Sequence, residues 1–246
     1  MRIQLLVFMV LFLFVRCKKE EDRNCIKSIG EISSKEVSLQ NFTQLYMGPH
    51  IKYVLVQDST DKVVIIGGNN LLNGIDVSLD DQTLSIENLN KCAFLRTYDE
   101  VVQVEIHFTQ LTEIEFEGTH EVVCTDTIQA VNLELLIREG AGHFDLKLNA
   151  NSLNLVVAQG WGNYSVSGNV NFANLRVSGN GFGNSNNLNV TNELVVISNT
   201  VGLVELNADQ CVLLAEIRSS GSIYYKGTPG QIELNRYGTG ELIDKN

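Results

Sequence analysis

Proline is nearly absent from the 246-residue sequence, which contains only Pro49 and Pro229, and no segment keeps a helical spacing of apolar residues over three turns. Because apolar positions every three or four residues define an amphipathic helix, the lack of this spacing excludes a helical bundle. Glycine, with 20 residues, and asparagine are instead frequent between short runs of alternating apolar and polar residues. Short strands joined by such turns are typical of an all-β protein.

Positive charge is also scarce. The chain has 18 lysines and arginines against 29 aspartates and glutamates, which gives a formal net charge of −11. An acidic surface repels phosphate backbones, and the sequence contains no basic stripe interleaved with aromatic residues. We therefore expect no nucleic-acid partner.

Clustered metal ligands are lacking. The four cysteines that follow Cys17 are far apart, and they form no CxxC or HxxxH pairing among themselves or with the four histidines. This spacing argues against a zinc site, and we expect no metal and no cofactor. Buried free thiols are favoured for Cys124 and Cys211, which lie beside strand-like runs. Three disulfide pairings are open for the full set of Cys25, Cys92, Cys124 and Cys211.

Only one long apolar run occurs, from Ile3 to Val15, and it is too short to cross a bilayer as a helix, which needs about 20 residues. The run leads into Cys17, and charged residues follow. Residues 1–17 therefore resemble a bacterial lipoprotein signal whose Cys17 carries the lipid. Arg16 departs from that pattern, because the residue before the lipidated cysteine is normally small. Cleavage without a lipid and an uncleaved anchor are the alternatives.

The segment after Cys17 is charged and has no periodicity. We interpret residues 18–36 as a tether and residues 37–246 as one folded domain. The tract Lys19-Glu20-Glu21 resembles the export tag of Bacteroidetes lipoproteins that reach the cell surface. We therefore expect an exported protein that is held at the outer membrane by a lipid, and display on the cell surface is a further expectation.

A repeat with a period near 20 residues is clearest in residues 117–244. Aligning the glycine-containing turns makes seven positions equivalent, at steps of 22, 20, 19, 21, 19 and 19 residues: His120, Gly142, Gly162, Gly181, Gly202, Gly221 and Gly240. Between the turns each unit carries an alternating apolar run, such as Leu194 to Ile197. A fixed period of this length predicts a stack of similar coils.

Stacking is required because a single coil of two or three short strands cannot bury its own apolar face. Coils placed about 4.8 Å apart bury a continuous core and pair their backbone groups with their neighbours. Glycine is expected at the corners because they need left-handed or bulged backbone and because successive corners stack closely. We predict a right-handed parallel β-helix-like solenoid with repeats of about 20 residues. A β-sandwich, the alternative, would show turns every 8–12 residues or so without the longer period.

The order of these motifs resembles the head GIN domain family, a group of autotransporter-type adhesins that is common among Bacteroidetes lipoproteins. The resemblance covers about residues 37–244. It departs from the family pattern at the turn Asn199-Thr200-Val201-Gly202 and in a longer stretch from Asn88 to Glu100. The resemblance implies a β-helical fold and a surface adhesion role, and it supplies no catalytic residues. Its matching segments are Met47-Gly48-Pro49-His50, the strand Ile51 to Val56, Gly68-Asn69-Asn70-Leu71-Leu72, the repeated glycine turns and the closing Ile223 to Pro229.

Aromatic residues beside the glycine turns are the candidate ligand contacts. Trp161 lies between Gly160 and Gly162, and Tyr164 and Phe182 occupy neighbouring corners. A large aromatic residue flanked by glycines on a loop is expected to be exposed, and there it can stack on a sugar or anchor a protein partner. Packing of these rings against the solenoid is the alternative.

No carboxylate pair has a spacing typical of polysaccharide-cleaving enzymes, so we predict no catalytic residue. Glu113, Glu115 and Glu117 alternate along one strand face, and a calcium site there is less favoured than a solvated outer face with Ile114 and Phe116 pointing inward. The predicted function is a non-catalytic surface adhesin or binding scaffold for a surface protein or glycan. A carbohydrate-binding or polysaccharide-active β-helix protein is the alternative.

Overall fold

The computed structural model describes residues 28–90 and 101–246. These residues are 66% strand and 2% helix, and they form a β-solenoid of about seven turns. No helix in this part of the chain is long and apolar enough to cross a membrane. The helix is α1 (Asn69–Leu72), and the strands are β1 (Ile32–Ser38), β2 (Gln44–Met47), β3 (Ile51–Gln57), β4 (Lys62–Gly68), β5 (Ile75–Asp80), β6 (Thr83–Asn88), β7 (Val102–Phe108), β8 (Glu113–Phe116), β9 (Glu121–Cys124), β10 (Ile128–Arg138), β11 (His143–Ala158), β12 (Asn163–Gly179), β13 (Phe182–Thr200), β14 (Val204–Asn207), β15 (Val212–Ile217), β16 (Ile223–Lys226), β17 (Gln231–Arg236) and β18 (Leu242–Asp244).

Parallel stacking in register organises the C-terminal two thirds of the chain. Strand β10 pairs with β11, β11 with β12, β12 with β13 and β13 with β15, each in parallel. One inward row shows the result: each of its members pairs with the next, and all are buried. This row is Leu135, Leu155, Leu175, Val196 and Ala215. The predicted period of about 20 residues is therefore the spacing of hydrogen-bonded neighbours.

Each long strand covers two faces of a coil. In β11 the buried side chains are at even-numbered positions up to Leu148 and at odd-numbered positions from Leu153 onward. Because alternate residues of a strand point to opposite sides, this change of parity marks a bend across residues 149–152. The strand then ends in a turn at residues 159–162, before β12 begins at Asn163. Each coil thus has two edges, the bend and the turn.

The predicted glycine column is confirmed at the turn edge. A Cβ atom placed on Gly202 would lie 2.1 Å from the carbonyl oxygen of Gly181, and one on Gly221 would lie 2.1 Å from that of Gly202. These glycines are required by the close approach of successive coils. Left-handed backbone occurs two residues before the column glycines Gly162 and Gly181, at Gly160 and Gly179, where φ is 75°. Close contact and left-handed backbone therefore act at two different positions of the turn.

The N-terminal end of the stack departs from the expected parallel pattern. Strand β4 pairs antiparallel with both β1 and β7, and β5 and β6 form an antiparallel pair. Helix α1 adds Leu71 and Leu72, which are buried. These elements cover a parallel edge whose backbone groups would otherwise be open to pairing with another chain.

Strand β1 also corrects the domain boundary. Its residues Ile32–Ser38 include five that were predicted to belong to the tether, and they pair with β4 along their whole length. The folded domain therefore begins by residue 32 and not at 37. The predicted signal and most of the tether lie outside the described residues.

The glycine column provides a direct test of the stacking. Replacement of Gly202 by alanine places a methyl group 2.1 Å from a backbone oxygen, so the two coils must separate. We expect Gly202→Ala to lower the free energy of unfolding by about 1–3 kcal/mol. The matched control is Gly230→Ala, because a Cβ there is 3.8 Å from its nearest neighbours. Urea unfolding followed by circular dichroism measures both, and equal midpoints for the two variants would contradict close coil contact.

Candidate functional site

Trp161 lies on the turn between β11 and β12, and its side chain is 62% exposed. The turn reverses the chain through left-handed backbone at Gln159 and Gly160, with φ values of 59° and 75°. The backbone N–H of Trp161 donates to the carbonyl oxygen of Gly140 in the coil before, at 2.9 Å. The indole is therefore held on a fixed backbone and projects toward solvent, as the sequence predicted.

Phe182 begins β13 on the next turn and is 48% exposed. Its ring lies against the corner glycine of the following coil, because a Cβ atom on Gly202 would be 3.0 Å from Phe182 Cδ1. Phe182 is thus partly exposed at the neighbouring turn, and its contact with a ligand stays a prediction. Contact with the Gly202 backbone restricts the ring, so that less side-chain entropy is lost when a ligand binds.

Val201 was missed by the sequence analysis. It is 59% exposed and occupies the same turn position as Trp161, because its N–H donates to Gly179 as that of Trp161 donates to Gly140. A signal was available, since both residues directly precede a glycine of the repeat. Trp161, Phe182 and Val201 lie on three successive turns, and we call this surface the aromatic corner.

The expected exposure of Tyr164 is wrong. Its side chain is 2% exposed, because it occupies an inward position of β12 next to Phe144 of the preceding coil. The ring fills the space above Gly183, where an added Cβ would lie 2.4 Å from the tyrosine oxygen. Burial raises the pKa of Tyr164 well above its usual value. Tyr164 is therefore a core residue and cannot contact a ligand at the surface.

The glutamate row behaves as its alternation predicted. Ile114 and Phe116 are fully buried, and the intervening carboxylates face outward. Arg138 Nε binds Glu115 Oε1 at 2.8 Å, and the hydroxyl of Tyr46 donates to Glu117 Oε2 at 3.0 Å. Partial burial, together with this bond to Glu117, raises the pKa of Tyr46 to about 12.

Groups of metal-binding side chains are not found among residues 28–90 and 101–246, where no three His, Cys, Asp or Glu residues lie close enough to share an ion. Cys124 and Cys211 are both free thiols, as favoured from the sequence, but only Cys211 is fully buried and Cys124 is partly exposed. Burial raises the pKa of each thiol. Cys17, Cys25 and Cys92 lie outside the described residues.

Asp58 and His107 are hydrogen-bonded, with 2.7 Å between Asp58 Oδ2 and His107 Nδ1. The carboxylate also accepts from the backbone N–H of Thr60 at 2.7 Å and from its hydroxyl at 2.9 Å. The bond to His107, followed by those to Thr60, lowers the pKa of Asp58 to about 2. The pair ties the loop after β3 to β7.

Residues 41–229 match the family described as "Putative auto-transporter adhesin, head GIN domain". None of the curated proteins matches the chain. A "putative adhesin" from Bacteroides fragilis is similar in structure, with a TM-score of 0.77 and 24% identity over 87% of this chain and 97% of that one.

Two proteins from Parabacteroides distasonis are also similar in structure. A "putative lipid binding protein" has a TM-score of 0.69 and 20% identity, and a "putative adhesin" has a TM-score of 0.63 and 18% identity. Each alignment covers 88% of this chain and 98% of the other. At these identities the likeness establishes a shared fold.

The hydrogen bonds of Asp58 predict a pH-dependent stability. The pKa of Asp58 is lower in the folded chain than its ordinary value of 3.8. The contribution of Asp58 to the free energy of unfolding is therefore present above pH 3.8 and is lost as the pH falls toward 2. We expect Asp58→Asn to melt at a lower temperature than the parent at pH 6 and at nearly the same temperature at pH 2. His107→Gln removes the largest cause of the shift and should reduce the effect of Asp58→Asn. A melting difference that stays constant from pH 6 to pH 2 would contradict the assignment.

Proposed function

The chain belongs to the head GIN domain family, and from this we propose that it is an exported, lipid-anchored binding scaffold that acts in surface adhesion without catalysis. The family match covers residues 41–229, and the matched domain is the solenoid itself. A solenoid offers a long, rigid surface on which outward side chains can vary while the core stays unchanged. A binding role is therefore consistent with both the family and the fold.

The aromatic corner is the observation that carries the proposal. Trp161 and Phe182 are 62% and 48% exposed although large apolar side chains are normally withdrawn from water. Large exposed aromatic side chains at rigid positions are typical anchors of protein interfaces, where they contribute more than their neighbours. Their backbone is held by hydrogen bonds between successive coils, so little conformational entropy is lost on binding.

The anchor is supported by the position of β1. Residues 18–31, fourteen in number, separate Cys17 from the first strand. A fully extended chain spans at most about 3.6 Å per residue, which limits their reach to about 50 Å. Strand β1 lies in the antiparallel cap at one end of the stack, whereas the turn of Trp161 lies several coils further on. A lipid on Cys17 would then hold the capped end toward the membrane and leave the aromatic corner accessible.

A non-catalytic role is supported by the use of the polar side chains. Arg138 pairs with both Glu115 and Glu117, and Glu117 also accepts a hydrogen bond from Tyr46. Asp58 is bonded to His107 and Thr60. These contacts join neighbouring coils or loops, which accounts for them structurally. A glycosidase would instead hold two carboxyl groups apart across an open cleft.

The lipid anchor is tested by replacing Cys17. In intact cells of the native host, we expect an externally added protease to remove the parent chain, and metabolic labelling with palmitate to label it. Cys17→Ala should lose the label and leave the membrane fraction. Cys25→Ala is the matched control and should keep both properties. Protection of the parent chain from protease would contradict surface display, and an unlabelled parent chain would contradict lipidation.

The adhesion site is tested by the double variant Trp161→Ala/Phe182→Ala. Beads coated with the purified chain are counted on a monolayer of cultured epithelial cells. A central aromatic anchor contributes about 2 kcal/mol or more, and the loss of one such anchor weakens binding about thirtyfold. We therefore expect the double variant to bind at least that much more weakly. Tyr237→Ala, at a residue that is 76% exposed near the C-terminal end of the stack, is the control and should bind like the parent. Equal binding by all three proteins would contradict a role for the aromatic corner.

A further inference from the structure

A second outward-facing surface lies at the bend edge of the coils, on the side opposite the aromatic corner. Polar side chains of β10 to β13 line an open cavity of about 360 Å³ there. Its polar residues are Gln129, Asn149, Asn169, Asn189, Asn171 and Thr191. Between the two rows of polar side chains, the small apolar residues Ala130, Ala150 and Val170 form the floor. We call this cavity the amide groove.

The first row of the groove repeats with the coil. Asn149 pairs with Asn169, and Asn169 pairs with Asn189, in the parallel registers of β11, β12 and β13. Asn169 Nδ2 donates to Asn149 Oδ1 at 3.0 Å, and Asn189 Nδ2 donates to Asn169 Oδ1 at 3.4 Å. With strands about 4.8 Å apart, these three carboxamides extend over about 10 Å along the solenoid.

The second row is held in the same way. Asn171 Nδ2 donates to Asn151 Oδ1 at 3.1 Å, and the hydroxyl of Thr191 donates to Asn171 Oδ1 at 2.8 Å. Each bond fixes the side-chain orientation of its donor and of its acceptor. Both rows are therefore ordered before any ligand arrives, which lowers the entropic cost of binding.

The ladders leave hydrogen-bonding capacity unused. A carboxamide nitrogen carries two hydrogens, and each bond between coils uses one of them. A second N–H of Asn169, Asn171 and Asn189 is thus available to a ligand, together with unused lone pairs on their oxygens. Asn169, Asn171 and Asn189 are exposed, so these groups face solvent.

The chemistry of the groove selects the class of ligand. All nine lining residues are uncharged, in a protein whose net charge is −11. A phosphate or carboxylate ligand would need basic partners, and a metal ion would need carboxylate or imidazole ligands. Paired amide donors and acceptors above an apolar floor instead complement a molecule that has hydroxyl groups on its edges and C–H groups on its face.

An exposed aromatic residue is next in sequence to the second row. Phe172 directly follows Asn171 at the bend and is 45% exposed. An exposed ring next to amide hydrogen-bonding groups provides an apolar surface for the C–H face of a sugar. We propose that the amide groove binds a neutral polysaccharide whose hydroxyl groups bond to the two amide rows. This inference rests on the proposed extracellular binding role and names one class of its ligand.

Amide ladders also stabilise stacked strands by themselves. A purely structural role and a binding site make different predictions. If the asparagines only stabilise the stack, replacing a pair outside the groove should reduce polysaccharide binding as much as replacing a pair inside it. Asn154 and Asn174 pair in register in β11 and β12, as Asn149 and Asn169 do, but lie on the face after the bend. The two pairs match in residue type and in coil, but Asn154 donates to Glu134 and Asn174 accepts from Arg176, so the second pair forms no ladder bond of its own.

The test uses affinity gel electrophoresis of the purified full chain in gels containing starch, a β-glucan or a mannan, with polygalacturonate as the acidic comparison. We expect at least one neutral polysaccharide to retard the parent chain and polygalacturonate to leave its mobility unchanged. Asn149→Ala/Asn169→Ala removes the free N–H of Asn169 together with the ladder bond that orders it, and should weaken binding at least about tenfold. Asn154→Ala/Asn174→Ala should bind like the parent. Circular dichroism and melting temperatures show whether both variants are folded.

Three outcomes would overturn the inference. The parent chain could pass unretarded through every neutral gel, the two double variants could lose binding equally, or Trp161→Ala could abolish retardation while the groove variant retains it. Failure here is distinct from failure of the proposed function. If no polysaccharide binds, bead adhesion that depends on Trp161 would still support the binding scaffold. If the protein is protected from protease in intact cells, surface display fails, but the purified chain would still bind the polysaccharide.

Discussion

Hydrogen-bond register between coils is the constraint on which the rest of the structure depends. Coil lengths differ, yet each inward row must continue unbroken. Between β12 and β13 the offset grows along the strand: 19 residues at Asn163 and Phe182 (182 − 163), 20 at Ser167 and Asn187 (187 − 167), and 21 at Phe172 and Glu193 (193 − 172). The two added residues are absorbed as local irregularities near the bend, so Leu175 and Val196 still meet in the core.

Much of the solenoid could be predicted because its signals are local and repeat. The corner glycines are required where coils approach within contact distance, and any side chain at Gly202 or Gly221 would strike backbone oxygen. The inward rows follow from strand alternation, which also placed Ile114 and Phe116 correctly. Exposure of Trp161 followed from its position between two glycines in the turn.

The errors have equally physical causes. Alternation has the same pattern in parallel and antiparallel strands. It could therefore not show that, at the capped end, β4 pairs antiparallel with β7 and β5 pairs antiparallel with β6. Tyr164 was assigned to the surface because it lies close to a glycine turn, although it shares its parity with the inward Val166. The amide groove depends on where β11 and β12 bend, and that bend appears in the sequence only as a change of parity between Leu148 and Leu153.

The same constraint separates what can vary from what cannot. Inward rows and corner glycines contact the next coil, and a change there disturbs two coils at once. Outward residues at the turn and the bend lie outside the core, so a change there removes at most side-chain bonds between coils, such as those of the amide rows, and leaves the inward rows in place. Structures that share 18–24% identity with this chain keep the fold at TM-scores of 0.63 to 0.77. Ligand choice in such a protein should therefore depend on the outward residues of its two edges, here the aromatic corner and the amide groove, and not on the solenoid that supports them.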